Sequence, residues 1–284
     1  MKRLSVGSYL FTRIVVLIGI FIILFPLIWI FSLSIRRAAE VFEGYFYVIP
    51  KHITFANYPE AFEYAKNYFN IGFFQMFLNS AAVTTSTIIV TLIISILAGF
   101  ALSHYVFKGS NLINTVNLAS FMIPSQALLI PMYVFLIKTG ILNTYAALVI
   151  PYTIFTVPIT TLIFKNFFSE IPQELEESAR IEGATKFQYL LRIVIPISKP
   201  AIATCTIYSF TLIWNEFVLA LTFLNKDQLK TFPVAVSTIA GGQYIVPYNI
   251  LGASMVITII PALILFLALQ RLFIRGITLG ALKG

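Results

Sequence analysis

IVVLIGIFIILFPLIWIFSL, Ile14–Leu33, is a run of 20 residues without a charge. A helix rising about 1.5 Å per residue needs about 20 mostly apolar residues to cross the roughly 30 Å hydrocarbon layer of a bilayer. A secretory leader has a shorter apolar core, roughly 7–15 residues, and a small-residue cleavage site, which does not follow here. The run therefore reads as a retained first span. Hydrocarbon offers no water to backbone N–H and C=O groups, so a spanning segment must be a helix or part of a closed barrel. An unbroken apolar run lacks the alternation of a barrel strand, which leaves the helix.

Five more segments of the same kind follow: Asn79–Ser103, Leu112–Ile137, Tyr145–Phe164, Ala201–Leu224 and Asn249–Leu269. The expected fold is an all-α membrane protein of six transmembrane helices, with residues 1–284 as a single transmembrane domain. Composition agrees. The chain is 59% hydrophobic and 11% charged, where a soluble domain carries about 25% charge, so too little charge is present to cover a water-facing surface. Disorder, a collagen-like repeat and a disulfide-stapled secreted fold are excluded. The single Cys205 has no internal partner and reads as a small buried thiol. Pro124, Pro131, Pro151, Pro158 and Pro261 lie within or beside spans. They predict kinks whose freed carbonyls need neighbouring helices or a wet cavity.

The net charge of +8 comes from 19 Lys and Arg against 11 Asp and Glu. In a spanning chain these bases report orientation before anything else. With the N-terminus inside, twelve bases fall on the inner side and seven on the outer, which puts both termini in the cytoplasm. Three segments outside the bilayer are then long enough to matter. One outer loop carries Asn57-Tyr58-Pro59-Glu60, a start for a short surface helix. A second outer loop carries the flexible tip Gly241-Gly242-Gln243-Tyr244. The third is the cytoplasmic loop 165–200.

Its sequence from Ser169 to Pro200 is SEIPQELEESARIEGATKFQYLLRIVIPISKP. Pro172 suits a first helical position, with Glu174, Glu176 and Glu177 against the positive end of the helix dipole. Gly183 is the left-handed stop, and Thr185 with Gln188 forms a capping box for a second helix. Phe187, Leu190, Leu191 and Val194 are expected on one apolar face, and Pro196 and Pro200 end the helix and start the fifth span. Five acids crowd this hairpin (Glu170, Glu174, Glu176, Glu177, Glu182). Anionic lipid would repel them, so docking into a groove of another protein is the better reading.

Glu177-Ser178-Ala179, then Gly183 and Ile193-Val194-Ile195-Pro196, resembles the EAA loop of ATP-binding cassette importer permeases: EAA, three residues, G, nine residues, I-x-L-P. Ser178 replaces the middle Ala and Ile195 the Leu. The chain also looks like the maltose-permease G-type subunit of the carbohydrate importers. It does so at Glu174–Ala184, Asn79-Ser80, Pro124 with Pro131-Met132-Tyr133, Trp214-Asn215-Glu216-Phe217 and the tail Gln270–Gly284. The resemblance implies the type I importer fold and an assembly of two permease subunits (a heterodimer), two ATPase subunits and an extracytoplasmic solute-binding protein. It implies that ATP and Mg are held by the ATPases, with no cofactor on this chain. It makes the loop a coupling helix, with Glu177, Ser178, Ala179, Gly183, Ala184 and Pro196 at the ATPase and the tail through Gly284 reaching it too. The cargo it implies is a sugar or oligosaccharide, with a polyol or glycerol phosphate as the alternative and an ion-coupled secondary transporter as a more distant one.

Glu216 is the one acid inside an expected span, about 25 Å along a helix begun near Lys199. An ionisable residue there is a functional candidate, against an ordinary interfacial role beside Trp214. Asn79, Gln126 and Asn215 join it as candidates to line the pathway and touch solute. Ser80 and Asn249 are further polar residues, and for all of these interhelical bonding is the commoner use. His52 and His104 stand alone at span or loop ends, so no metal is expected. No Walker A motif and no nucleophile–base arrangement occurs, so the chain is expected neither to bind ATP nor to be an enzyme.

Overall fold

The computed structural model of the chain describes residues 6–41, 48–64, 66–241 and 247–281. Gly242–Tyr244 of the expected tip and Leu282–Gly284 of the tail, Gly284 included, lie outside them. Every principal element is a helix: α1 (Val6–Ser34), α2 (Asn57–Tyr64), α3 (Phe73–His104), α4 (Ser110–Phe121), α5 (Leu129–Lys138), α6 (Ala146–Ser169), α7 (Gln173–Ile181), α8 (Lys186–Ile197), α9 (Lys199–Trp214), α10 (Val218–Phe223), α11 (Phe232–Ala240) and α12 (Tyr248–Ala281). Among the described residues, four stretches are long and apolar enough to cross a bilayer: Phe11–Ser34, Phe73–His104, Ala146–Ser169 and Tyr248–Leu272. Two bent pairs, α4 with Ser125–Lys138 (95°) and α8 with α9 (75°), bring the count to six if each pair is one crossing.

The bent pairs correct two expected spans. The stretch 112–137 is not one helix. Pro124 sits at φ −67°, ψ 133°; its ring and missing N–H end α4, and a single 3-10 turn over Ser125–Leu128 leads into α5. The stretch 201–224 breaks at Asn215–Phe217, so Glu216 lies beyond the end of a helix rather than along one. Its own carboxylate accounts for the break. Oε1 accepts the Leu219 N–H at 2.8 Å and Oε2 the Ala220 N–H at 3.3 Å, starting α10 with the side-chain capping that acids offer a new first turn. α8 ends at Ile197, between Pro196 and Pro200, with Pro196 itself inside the helix. A π turn over Leu190–Val194, closed by Ile195 N–H to Leu190 C=O, widens the helix where the proline ring would meet the Arg192 carbonyl.

The chain divides into two compact units, Met1–Phe73 with Ala235–Ile260, and Phe74–Val234 with Pro261–Gly284. In the first, α1 is exposed along its apolar length and is fastened at its last turn. Asn57 donates to the Ser34 and Arg36 carbonyls at 2.9 and 2.8 Å and accepts from Asn249 at 2.9 Å. Gly252 lets α12 approach that same turn: a Cβ there would lie 2.9 Å from Leu33 Cβ and from Ser34 N.

In the second unit α3 and α6 meet along a seam of hydroxyls. Thr91 bonds Thr156 at 2.7 Å and Ser95 bonds Thr160 at 2.6 Å, all four buried. One turn further, a Cβ on Gly99 would lie 2.7 Å from Phe164 Cβ, so the backbones touch there. Small residues and shared hydroxyls hold helices where lipid supplies no hydrophobic drive between them. Beyond the seam, Phe100, Phe164, Phe168 and Cys205 form one buried cluster with Ala179, Tyr189, Leu190 and Val194 of the α7–α8 hairpin.

Candidate functional site

Two places collect the chemistry, both within the second unit. The first is the hairpin. Gly183 takes φ 83°, and the bonds Ala184 N–H to Ala179 C=O (2.9 Å) and Gly183 N–H to Arg180 C=O (3.1 Å) close α7 as a Schellman motif. Thr185 and Gln188 make the reciprocal capping box that starts α8. Pro172 is the residue just before α7 rather than its first helical position. Glu176 lies 3.8 Å from His104 Nε2 and 4.0 Å from Lys186 Nζ, tying α7 to the end of α3 and to α8.

The faces differ from the sequence expectation. Leu190 and Val194 are buried, but Phe187 is 60% exposed and Leu191 48%. They point away because the core takes Tyr189 instead. Ile181, at 87%, and Leu175 extend the outward apolar set. Glu177 and Ser178 are exposed, as are Gly183 and Pro196, while Ala184 is half-buried. Ala179 is buried in the hairpin's own core, where its lack of bulk lets α7 lie close, so it is not available to an outside surface. The two histidines are also less isolated than expected. His104 stacks on Phe100 with ring centroids 4.3 Å apart and faces Glu176, and His52 Nδ1 meets Glu40 Oε1 at 2.7 Å. Among the described residues, no three His, Cys, Asp or Glu side chains come together as a metal would need.

The second place is a cavity of about 370 Å³ at the two helix breaks. Phe121 and Gln126 from the first break, Tyr152 and Phe155 from α6, Tyr208 from α9 and Glu216 from the second break line it. Tyr152 donates its hydroxyl to Glu216 Oε2, so the carboxylate joins α6 to the start of α10. Of the four pathway candidates the structure brings Gln126 and Glu216 together here. Asn79 is elsewhere and buried: it donates to the Gln228 and Lys230 carbonyls at 2.8 and 2.9 Å and accepts from Gln75 and Tyr145 at 2.9 and 2.8 Å. Asn215 is exposed and bonds back to the Thr211 carbonyl. Sequence alone does not single out the tyrosines and phenylalanines of the cavity among the many aromatic residues of the spans, because they meet only across three helices.

A family model described as binding-protein-dependent transport system inner membrane component matches residues 91–279. The chain is 34% identical to the sulfoquinovosyl glycerol transport system permease protein SmoH of Agrobacterium fabrum, over 92% of this chain and 89% of that one. It is 35% identical to the trehalose/maltose transport system permease protein MalG of Thermococcus litoralis, over 72% and 74%. In fold it matches a chain of a bacterial ABC transporter involved in the import of the acidic polysaccharide alginate, with TM-score 0.82 and 24% identity over 95% of this chain and 99% of that one.

Proposed function

The chain belongs to the family of binding-protein-dependent transport system inner membrane components, and from that premise we propose that it is one of two unlike permease subunits of an ATP-driven importer for a sugar or oligosaccharide. Permeases of this kind are multi-pass, non-enzymatic membrane subunits that work with a solute-binding protein and ATPase subunits. Carbohydrate as cargo rests on the relatives, whose names specify sulfoquinovosyl glycerol and trehalose/maltose. The excess of bases on one side supports cytoplasmic termini and a cytoplasmic hairpin. ATP and Mg belong on the partner ATPases.

The observation that carries the coupling role is the two-sided hairpin. Its inner side (Ala179, Tyr189, Leu190, Val194) shares one buried cluster with Phe100, Phe164 and Phe168 of α3 and α6. Its outer side offers Glu177 and the exposed Leu175, Ile181, Phe187 and Leu191. An apolar, acid-bearing helical edge fits a groove in a partner protein. When the ATPases close on ATP, a push on α7 passes through a close-packed cluster to the ends of three spanning helices, because packed side chains shift together rather than compress. Ile181→Asp tests this at a position that supports nothing inside the chain. Insertion and pairing with the second permease are expected to survive, while ATP-coupled uptake falls at least about tenfold, as at an interface hot spot. Uptake with wild-type ATP dependence would overturn the reading.

A further inference from the structure

We propose that the cavity at the two helix breaks is a subsite for one sugar ring of the cargo, and that Glu216 makes it accept neutral or amino-bearing rings and reject acidic ones. This rests on the carbohydrate reading above. The volume, about 370 Å³, falls at the small end of the roughly 300–1,000 Å³ typical of small-ligand sites. A pyranose ring presents two unlike surfaces, flat C–H faces and an equatorial girdle of hydroxyls. The cavity matches both: Phe121, Phe155 and Tyr208 bring aromatic faces from three elements, and Gln126 and Glu216 bring planar polar groups. Ser125 donates to Gln126 Oε1 at 3.2 Å, and the Gln126 amide has N–H groups to donate to a sugar hydroxyl.

The carboxylate supplies the selection. A carboxylate has about four acceptor positions. Leu219 N–H, Ala220 N–H and the Tyr152 hydroxyl take three, leaving one for a sugar hydroxyl or an ammonium group. Among the described residues no Lys, Arg or His lines the cavity, so none of them offsets a carboxylate at Glu216. A second carboxylate seated within about 6 Å of it, in surroundings of effective dielectric about 20, would bind at least about tenfold more weakly than a hydroxyl in its place.

The test uses the full importer with its partner subunits in nanodiscs, carrying Ile123→Cys, an exposed lining position that the proposal gives no part in holding the ring. Labelling by a small maleimide is timed with and without maltotriose, glucosamine trimer or trigalacturonate at neutral pH. Cys205 is wholly buried, so the wild type supplies a slow background. Maltotriose and glucosamine trimer are expected to protect the new thiol, and trigalacturonate to need at least about a tenfold higher concentration. Adding Glu216→Gln is expected to close most of that gap. Should this variant fail to assemble for want of the α10 cap, Tyr208→Ala takes its place and is expected to weaken protection by all three. Equal protection by trigalacturonate overturns the charge selection, and no protection by any of the three overturns the subsite. Stimulation of ATP hydrolysis by loaded binding protein is recorded on the wild-type complex. If it is present while protection fails, the subsite falls and the importer reading stands; if it is absent, the importer reading itself fails.

Discussion

Asn79→Ala separates a structural asparagine from a solute ligand. The side chain makes four hydrogen bonds, to the Gln228 and Lys230 carbonyls and from Gln75 and Tyr145, which uses both its donors and both its acceptor positions. It is 1% exposed, so water cannot replace it at the two carbonyls. Polar contacts between helices in membranes average about 0.6 kcal/mol each, which sets a floor of about 2 kcal/mol for four. Two carbonyls stranded at about 1 kcal/mol or more apiece raise the estimate towards 4 kcal/mol. For a chain of this size that corresponds to a fall of about 5–15 °C in the unfolding midpoint. The midpoint is read by a thiol- or light-scattering-based melt of the purified complex, and uptake is measured per folded complex at saturating binding protein. Uptake per folded complex is expected to stay within about twofold of wild type, because the transition state for passage loses nothing. An unchanged midpoint with uptake lowered about fivefold or more would refute the reasoning and return Asn79 to the pathway.

Gly99→Ala is expected to destabilise the complex by about 1–3 kcal/mol, because its Cβ meets Phe164 Cβ at 2.7 Å and Lys165 N at 3.0 Å on the facing backbone. Gly19→Ala, which meets nothing within 4 Å, is the neutral control in the same melt. In the segment that follows α1, burial opposes the Glu40 charge, but His52 and the Lys51 and His52 N–H groups bond it and hold its carboxyl below the ordinary carboxylate value. A carboxyl whose folded value is depressed contributes its stability above the unfolded value, near 4.5, and loses it as pH falls through the folded one. Glu40→Gln is therefore expected to flatten the acid limb of a stability–pH profile below that value and to leave the neutral region little changed; an unaltered acid limb would count against the contact.

Long apolar runs were legible in the sequence because lipid demands length and uniformity, and α1, α3, α6 and α12 carry the expected first, second, fourth and sixth spans. The hairpin was legible too. A left-handed glycine and a capping box are local devices, and Gly183 and Thr185–Gln188 adopt the geometry their spacing requires. What the sequence concealed depends on partners far along the chain. Phe187 and Leu191 share a helix with Leu190 and Val194, and periodicity alone cannot say that Tyr189 takes the inward place. The Thr91–Thr156 and Ser95–Thr160 bonds join residues 65 positions apart, and hydroxyls of this kind merge into an apolar run when read one by one.

The break at Pro124 answers to the kink its proline predicts, while the one at Asn215–Phe217 was hidden, and together they explain why the cavity lies where it does. Backbone that leaves the helix at membrane depth strands N–H and C=O groups, which is tolerated only where protein or a wet cavity receives them. Here the breaks at Pro124 and at Asn215–Phe217 both contribute side chains to one cavity. Each break by itself looks like a cost: a proline inside one span, an acid inside another. Set beside each other they satisfy a common need. Glu216 receives the first N–H groups of α10 and the Tyr152 hydroxyl, while Ser125 and Gln126 present hydroxyl and amide across the same space. An uninterrupted α9–α10 helix would remove the Glu216 cap and turn its carboxylate away from Leu219 and Ala220. The acid then has no reason to be in the span. The break and the acid are one feature, and the cavity beside them follows from it.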